Sequence, residues 1–169
     1  MNIISGVFKS IKIKTSKNLS YRPTKSLVRK SIFDSISSFN FNSVCDLFSG
    51  TGIIGFESAS RGAELITFVD NDYRVIKLIQ ENARTLKGPH YSCFHKDVFS
   101  FIKNCNSYDL IYADPPYGKY DLVKLVKEVF KHLNKDGKLF LECDKKQHPF
   151  LNSIVRDFGQ TRILQWQNK

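Results

Sequence analysis

The sequence predicts an α/β fold built around a mainly parallel sheet. From residue 43 onward, short apolar runs alternate with stretches of helical periodicity, a pattern typical of strands joined by crossover helices. One run leads into Gly50-x-Gly52-x-x-Gly55, and a later run leads into Asp114-Pro115-Pro116-Tyr117. The carboxyl ends of parallel strands share one edge of a sheet, where α/β proteins bind their ligands. We therefore expect both motifs to lie at that edge.

Residues 1–40 are predicted to form a small extension of this core. Residues 3–13 alternate in part around a Ser-Gly turn signal, which predicts a short hairpin, and residues 14–22 are a polar loop. A helix is predicted to begin at Pro23 and Thr24, with Thr24 as its cap. Its apolar face is expected to comprise Leu27, Val28, Ile32, Phe33 and Ile36, with Lys25, Arg29 and Lys30 lying off that face.

Residues 41–169 are predicted to form the core, and the chain of 169 residues is expected to be one domain. The last stretch, Ile154-Val155 followed by Thr161 to Trp166 across a turn at Gly159, predicts a closing antiparallel hairpin. The preceding strands are predicted at 43–48, 64–70, 91–95, 108–113 and 138–143, and the helices at about 53–61, 72–86, 98–103 and 121–133.

Composition argues against several classes of protein. Hydrophobic residues make up 41% of the chain, which argues against disorder. Apolar runs are far shorter than the ~20 residues of a membrane-spanning helix, and the N-terminus lacks the layout of a signal peptide. We therefore expect a cytoplasmic protein with no membrane partner, and a monomer. The cysteines form no C-x-x-C pair and the histidines lack metal-ligand spacing, which predicts buried thiols at Cys45, Cys93 and Cys143 and no metal site.

The positive charge is concentrated near the N-terminus. The formal net charge is +10, and residues 1–40 hold eight Lys and Arg residues against the single acid Asp34. A basic segment beside a nearly neutral core favours a polyanionic partner, because neutralised phosphates release counterions and attract the protein whatever their sequence. The alternative is a solvated, Lys-rich surface without a partner.

The glycine motif predicts a cofactor site. Gly50 and Gly52 allow the backbone to bend and approach a ligand at the start of a helix. The pattern satisfies the dinucleotide fingerprint, with Asp70 about 20 residues further on as a ribose-binding acid, but such glycines serve several adenosine cofactors. Asp46, four residues before Gly50, would attract a cationic group such as a sulfonium and repel a pyrophosphate. This favours S-adenosyl-L-methionine over NAD.

Two further acids end predicted strands. Asp70 can accept the ribose hydroxyl protons, or can cap the helix that follows. Asp97 suits an adenine amino group, and here helix capping is a stronger alternative. The candidate cofactor-binding residues are Asp46, Phe48, Ser49, Gly50, Thr51, Gly52, Asp70, Asn71, Asp97 and Val98.

The loop from Asp114 to Tyr117 predicts recognition of an exocyclic amino group. Its two prolines fix the backbone, so the Asp114 carboxylate and a proline carbonyl can form a rigid pair of acceptors. Such a pair would hold the amine for an incoming methyl group, and Asp114 could take the surplus proton. Tyr117 would stack on an unpaired or flipped base. The candidate catalytic residues are Asp114, Pro115, Pro116 and Tyr117; a proline-rich strand exit without chemistry is the alternative.

Together these motifs resemble the RsmD family over nearly the whole chain. The resemblance rests on Arg22-Pro23-Thr24 with Val28-Arg29, on Asp46 to Gly55 with Ser60-Arg61-Gly62-Ala63, on Asp114 to Tyr117, and on Gly159-Gln160-Thr161-Arg162. Members are class I methyltransferases that methylate N2 of a guanine in bacterial 16S ribosomal RNA. The resemblance implies a Rossmann-like sheet of seven strands, S-adenosyl-L-methionine as donor, and an Arg22–Thr24 turn that borders the cofactor and the target base.

The implied partner is ribosomal RNA, within the small subunit or its precursor. The candidate RNA-binding residues are Lys9, Lys12, Lys14, Arg22, Thr24, Lys25 and Arg29. Three other functions remain open at this point. They are an N6-adenine methyltransferase acting on DNA or RNA, a non-catalytic RNA-binding or ribosome-assembly module, and an NAD-dependent oxidoreductase.

Overall fold

The computed structural model describes residues 1–16, 26–36 and 40–169. Within them it contains one seven-stranded sheet and five helices. The helices are α1 (Ser26–Asp34), α2 (Ile53–Ser60), α3 (Tyr73–Ala83), α4 (Val98–Ile102) and α5 (Leu122–Phe130). The strands are β1 (Ser43–Leu47), β2 (Leu65–Asp70), β3 (His90–His95), β4 (Tyr108–Ala113), β5 (Leu133–Asp144), β6 (Ile154–Phe158) and β7 (Thr161–Gln167).

The sheet is parallel over its first five strands and antiparallel at its end. The strand order is β3-β2-β1-β4-β5-β7-β6, and β7 runs antiparallel to both β5 and β6. This confirms the mainly parallel sheet and the closing hairpin that the sequence predicts. The order reverses between β1 and β4, which creates the crevice where such sheets bind ligands.

The two faces of the sheet pack into separate apolar cores. Along β1, Val44 lies in one core with residues from α1, α2 and α3, whereas Cys45 and Leu47 lie in the other with residues from α4 and α5. Side chains alternate between the faces of a strand, so a central strand covered on both sides is apolar almost throughout. Among the described residues, no helix is long and apolar enough to span a membrane.

The structure extends β5 well beyond its predicted start at residue 138. β5 begins at Leu133, which pairs with Tyr108 before the register shifts, and α5 ends at Phe130 rather than near 133. The added segment contains Asp136, whose φ is 63°. It also contains Gly137, where a Cβ atom would lie only 2.8 Å from the Asn134 carbonyl oxygen. This part of the strand is polar, so it contains no apolar run that would predict a strand in the sequence. Most other boundaries move by one to three residues.

Helix α1 buries the predicted apolar face with two exceptions, Leu27 and Arg29. Leu27 is 63% exposed and Arg29 only 4%, so both expectations for these residues are wrong. The buried residues of α1 are Val28, Arg29, Ile32 and Phe33, and Ile36 is buried just beyond the helix. The predicted helix start at Pro23 and Thr24 lies outside the described residues.

The N-terminal segment folds back on itself and docks against the end of α2. Its two arms meet at a single antiparallel bridge between Asn2 and Lys12, so the predicted hairpin forms without an extended ladder. At the turn, Gly6 has a φ of 84°, and a Cβ there would lie 1.7 Å from the Ser60 carbonyl oxygen. The Ser60 hydroxyl accepts a hydrogen bond from the Phe8 amide at 2.8 Å. The turn therefore fits α2 only with glycine at residue 6.

A buried carboxylate, Glu57 of α2, joins this segment to the core. Its side chain is fully buried and accepts hydrogen bonds from the amides of Ile4 (2.7 Å) and Ser5 (3.1 Å). Arg61 lies 3.0 Å away and Arg29 3.9 Å away, and Arg29 also donates to the Asn2 carbonyl. Burial lowers the pKa of Arg29 and Glu57 opposes that shift. A buried charge needs such partners, which explains why Arg29 faces inward.

We expect Gly6→Ala to lower the free energy of unfolding by at least about 2 kcal/mol, because the new side chain would displace the docked segment. Gly159→Ala is a matched control, since Gly159 also has a positive φ (63°) but nothing within 4 Å of a Cβ. Backbone strain alone should cost the control about 1 kcal/mol. Urea unfolding measures both, and equal losses would contradict the docking role of Gly6.

Candidate cofactor and substrate site

The candidate site lies at the carboxyl edge of β1, β2 and β4. Leu47, the last residue of β1, pairs with Val69 on one side and Ala113 on the other. Asp70 and Asp114, the residues that follow these two partners in the chain, therefore flank the turn that begins after β1. The structure thus brings the two predicted motifs together at the reversal of strand order.

The turn after β1 is fixed by hydrogen bonds and by positive backbone angles. The Ser49 hydroxyl donates to the Asp46 carbonyl at 2.6 Å and accepts from the Val69 amide at 2.8 Å, which ties the turn to β2. The backbone angle φ is positive at Phe48 (56°), Gly50 (50°) and Gly52 (71°), and glycine adopts such angles without steric cost. The turn therefore takes its shape from the chain's own hydrogen bonds and backbone angles.

Gly55 allows α2 to pack very close to the sheet. A Cβ at Gly55 would lie 2.3 Å from the ring of Phe68 on β2, so a larger residue would push the helix away. Close packing of helix and strand is the role of the third glycine in a dinucleotide fingerprint. It also brings the Gly55 amide within 3.1 Å of the Asp46 carboxylate, which accepts its hydrogen bond.

Asp46 is a buried acid within the site. It is 2% exposed, and burial raises its pKa well above the usual range, an effect that the Gly55 amide opposes and Asp70 reinforces. A cation placed beside this carboxylate would favour its ionised form. Asp46 therefore suits a positively charged ligand and disfavours an anionic one.

Asp70 faces the glycine turn and does not cap α3. Its carboxylate accepts hydrogen bonds from the amides of Gly50 (3.0 Å) and Asp72 (2.9 Å), and burial raises its pKa. The cap of α3 is Asp72, which accepts from the Arg74 amide. This removes the capping alternative for Asp70.

Asp97 caps α4, as the alternative interpretation predicted. One of its oxygens accepts a hydrogen bond from the Ser100 amide at 3.0 Å, and the residue is exposed at the edge of the site. Its contact with a cofactor stays a prediction, as it does for Asn71 and for Val98, which is buried at the start of α4.

An aromatic cluster of Phe48, Phe99 and Tyr120 lies beside these acids, and of its members the sequence predicted only Phe48 as a site residue. Tyr120 packs its ring 4.9 Å from Phe48 and 6.0 Å from Phe99, measured between centroids. Burial raises the pKa of the Tyr120 hydroxyl, with additional contributions from Asp97 and Asp70, which places both acids near it. The only signal in the sequence was a second tyrosine three residues after Tyr117.

The Asp114 loop is a short turn anchored to β1. The Asp114 amide donates to the Leu47 carbonyl at 3.4 Å, and the Lys119 amide donates to the Pro116 carbonyl at 3.2 Å. Asp114 is half-buried and Pro115 buried, whereas Pro116 is exposed and Tyr117 is 40% exposed. The tyrosine ring is therefore accessible to a flat ligand next to the acid.

The structure corrects the set of predicted RNA contacts. Lys9, Lys12 and Lys14 are exposed on the N-terminal segment, but Arg29 is buried against Glu57 and is removed from the set. Arg22, Thr24 and Lys25 lie outside the described residues. The exposed lysines belong to a segment that docks at the C-terminal end of α2, about 12 Å along the helix from the glycine turn.

The four cysteines lack the features of a nucleophile. Burial raises the pKa of every cysteine thiol in the chain, most strongly for Cys45 and Cys143. Cys93 is half-buried on the edge strand β3 rather than buried as predicted. No cluster of three or more His, Cys, Asp or Glu side chains suited to a metal ion occurs in the described residues.

A sheet of this order, with a glycine turn after β1 and an Asp-Pro-Pro-Tyr motif after β4, is that of a class I methyltransferase. The chain matches the family model described as "Conserved hypothetical protein 95" over residues 1–165. It belongs to this family, which is the RsmD family that the motifs indicate.

Curated relatives cover almost the full chain. The Bacillus subtilis protein YlbH is 32% identical, over 96% of this chain and 91% of its own length. A Buchnera aphidicola protein named "Ribosomal RNA small subunit methyltransferase D" is 29% identical, over 86% of this chain and 78% of its own.

Solved structures confirm the fold. A Thermus thermophilus protein superposes with a TM-score of 0.86 at 24% identity, covering 98% of each chain. A methyltransferase complexed with S-adenosylhomocysteine, SMU.776, superposes with a TM-score of 0.65 at 19% identity, over 83% of this chain and 48% of its own.

We expect the affinity for S-adenosyl-L-methionine to fall as pH is lowered, beginning above the range in which an ordinary aspartate titrates. The raised pKa of Asp46 sets this direction, since binding a cation requires its ionised form and a protonated Asp46 must first release its proton. Calorimetric titrations between pH 5 and 8 test this. Asp46→Asn should bind more weakly and lose this pH dependence, whereas Glu64→Gln, at an exposed acid, should behave as wild type. The same pH dependence in Asp46→Asn would exclude Asp46 as its source.

Proposed function

We propose that this chain transfers a methyl group from S-adenosyl-L-methionine to the exocyclic N2 of a guanine in small-subunit ribosomal RNA. The observation that carries the proposal is the anchoring of the Asp114 loop to the end of β1, which supports a role for this loop beside the glycine turn. Family membership and the name of the Buchnera relative support the reaction and the substrate.

The residues at the carboxyl edge fit this cofactor. Asp46, Asp70 and Asp97 line three successive strand ends, and this excess of negative charge suits a sulfonium and an ammonium better than a pyrophosphate. Asp70 would hold the ribose and Asp97 the adenine amino group, with Tyr120 and Phe99 available to pack on the adenine ring. When bound, the cofactor supplies an electrophilic methyl group.

The Asp114 loop would hold and deprotonate the target amine. The Asp114 carboxylate and a proline carbonyl accept the two amine hydrogens, which directs the nitrogen lone pair toward the methyl group. Asp114 then takes the proton that the methylated nitrogen gives up. The exposed Tyr117 ring stacks on the base, which must leave its helix to enter the site. The raised thiol pKa values favour direct transfer over a covalent cysteine intermediate.

The exposed lysines of the N-terminal segment would contact the RNA backbone. Lys9, Lys12 and Lys14 lie on a segment held to the core by Glu57, Ser60 and Asn82, so their charges are presented on a fixed surface. Such contacts position a nucleic acid without reading its sequence. We further propose that the protein works as a monomer in the cytoplasm, where ribosomal subunits are assembled.

We expect Asp114→Ala to abolish methyl transfer while cofactor affinity stays within about two-fold, because Asp114 handles the amine and the acids of the cofactor site remain. The assay follows labelled methyl transfer to unmodified small subunits, naked 16S RNA and duplex DNA, with mass spectrometry of the nucleosides. Glu64→Gln is the control for loss of one acid and should keep full activity.

The products decide between the candidate functions. N2-methylguanosine in the ribosomal samples would support the proposal, and N6-methyladenine would replace it with the adenine methyltransferase. Cofactor binding without transfer to any of these substrates would favour a binding-only protein. Undiminished turnover by Asp114→Ala would contradict its role.

We expect replacement of Lys9, Lys12 and Lys14 by Gln to weaken RNA binding and to reduce the slope of log affinity against log salt by about 2, if each lysine neutralises one phosphate. Filter binding of 16S RNA at several salt concentrations measures the slope. A matched triple variant at the exposed lysines Lys87, Lys103 and Lys135 should change it less. An unchanged slope in the first variant would remove the N-terminal segment from the RNA interface.

A further inference from the structure

A buried polar pair lies directly below the Asp114 loop. Tyr112 of β4 is 2% exposed and Glu142 of β5 is 3% exposed. The Tyr112 hydroxyl donates a hydrogen bond of 2.5 Å to one oxygen of the Glu142 carboxyl group. None of the motifs in the sequence includes either residue.

The register of the sheet places this pair beside the catalytic loop. Tyr112 pairs with Phe140, and the last pair of β4 and β5 is Ala113 with Leu141. The next residues along these two strands are Asp114 and Glu142. Because Glu142 lies two residues beyond the partner of Tyr112, the tyrosine hydroxyl extends along the strands toward the carboxyl edge. Glu142 is thus the neighbour of Asp114 on the adjacent strand.

The apolar surroundings of Glu142 make a carboxyl group there unfavourable in free energy. Tyr112 packs in the apolar core that also contains Leu110, Phe140 and Ile163. Burying a carboxyl group in such surroundings costs several kcal/mol unless its oxygens are well satisfied, and an apolar pair of similar volume would be at least as stable. The Tyr112 hydroxyl donates to one of these oxygens, and a hydrogen bond to the ionised carboxylate favours that form.

We propose that the negative charge of Glu142 stabilises the target nitrogen as it becomes cationic during methyl transfer, and that Tyr112 is the positioning residue that holds this carboxylate. This rests on the proposed function. In the transfer step the S–CH₃ bond breaks and its electron pair stays on sulfur, while the N2 lone pair forms the new C–N bond. The nitrogen carries a positive charge until its proton passes to the Asp114 carboxylate.

A carboxylate on the strand beside Asp114 lowers the energy of that cationic stage. The interaction is strong because the pair is shielded from water, and it costs no reorganisation because the Tyr112 hydrogen bond fixes the carboxyl group in advance. The neutral substrate gains little from the same charge. Loss of the charge should therefore lower kcat and leave KM almost unchanged.

The test compares Glu142→Gln and Tyr112→Phe with wild type under saturating cofactor. Glu142→Gln keeps the shape and an oxygen to accept from Tyr112 but removes the charge, and should lower kcat at least ten-fold with KM for RNA and Tm unchanged. Tyr112→Phe leaves the acid less fixed and should lower kcat by a smaller factor. In the double variant the two losses should not multiply, because the tyrosine acts through the acid.

Gln165→Leu is the matched control. Gln165 of β7 is 5% exposed on the same face of the sheet, and its side-chain oxygen has no hydrogen-bond partner among the described residues. This replacement of a buried polar group should leave kcat unchanged. Wild-type kcat in Glu142→Gln, or losses of kcat matched by losses of Tm or rises of KM, would overturn the proposal for Glu142. Failure of the wild-type protein to methylate any substrate would instead overturn the proposed function.

Discussion

The close packing of α2 against β2 is the constraint on which the rest of the molecule depends. Gly55 leaves no room for a side chain above Phe68. The resulting close packing brings the Gly55 amide within hydrogen-bonding distance of the Asp46 carboxylate at one end of the helix. At the other end of the same short helix, Glu57 and Ser60 receive the N-terminal segment. If the helix lay further from the sheet by the size of one methyl group, both the Asp46 hydrogen bond and the docking of the N-terminal segment would be disturbed, because protein interiors are closely packed.

Three buried acids have different reasons to be in the interior. Glu57 is surrounded by two arginines and two amides, so its charge is compensated within the fold. Asp46 accepts a hydrogen bond from the Gly55 amide, but burial raises its pKa, so a cation beside it would be needed to favour its ionised form. Glu142 is hydrogen-bonded to Tyr112 beside the substrate loop. Burial serves the fold at Glu57, whereas our proposals give the buried acids Asp46 and Glu142 roles in the site.

The parallel strands, the glycine turn and the Asp114 loop could be predicted because each is a local pattern. Apolar runs mark strands that are covered on both faces, and glycines mark turns, without reference to distant residues. The burial of Arg29 could not be predicted, since its partner Glu57 lies 28 residues away in the chain. Tyr120 was missed for a similar cause: only the folded chain places it beside Asp70 and Asp97.

The docking of the N-terminal segment depends on residues that follow it much later in the chain. The amides of Ile4 and Ser5 have no acceptor until residue 57 exists, and the backbone of Lys14 needs the side chain of Asn82. Contacts of such long sequence separation form late and open early, because few local interactions support them. During synthesis this lysine-rich segment therefore cannot complete its docking until the chain has grown past residue 82.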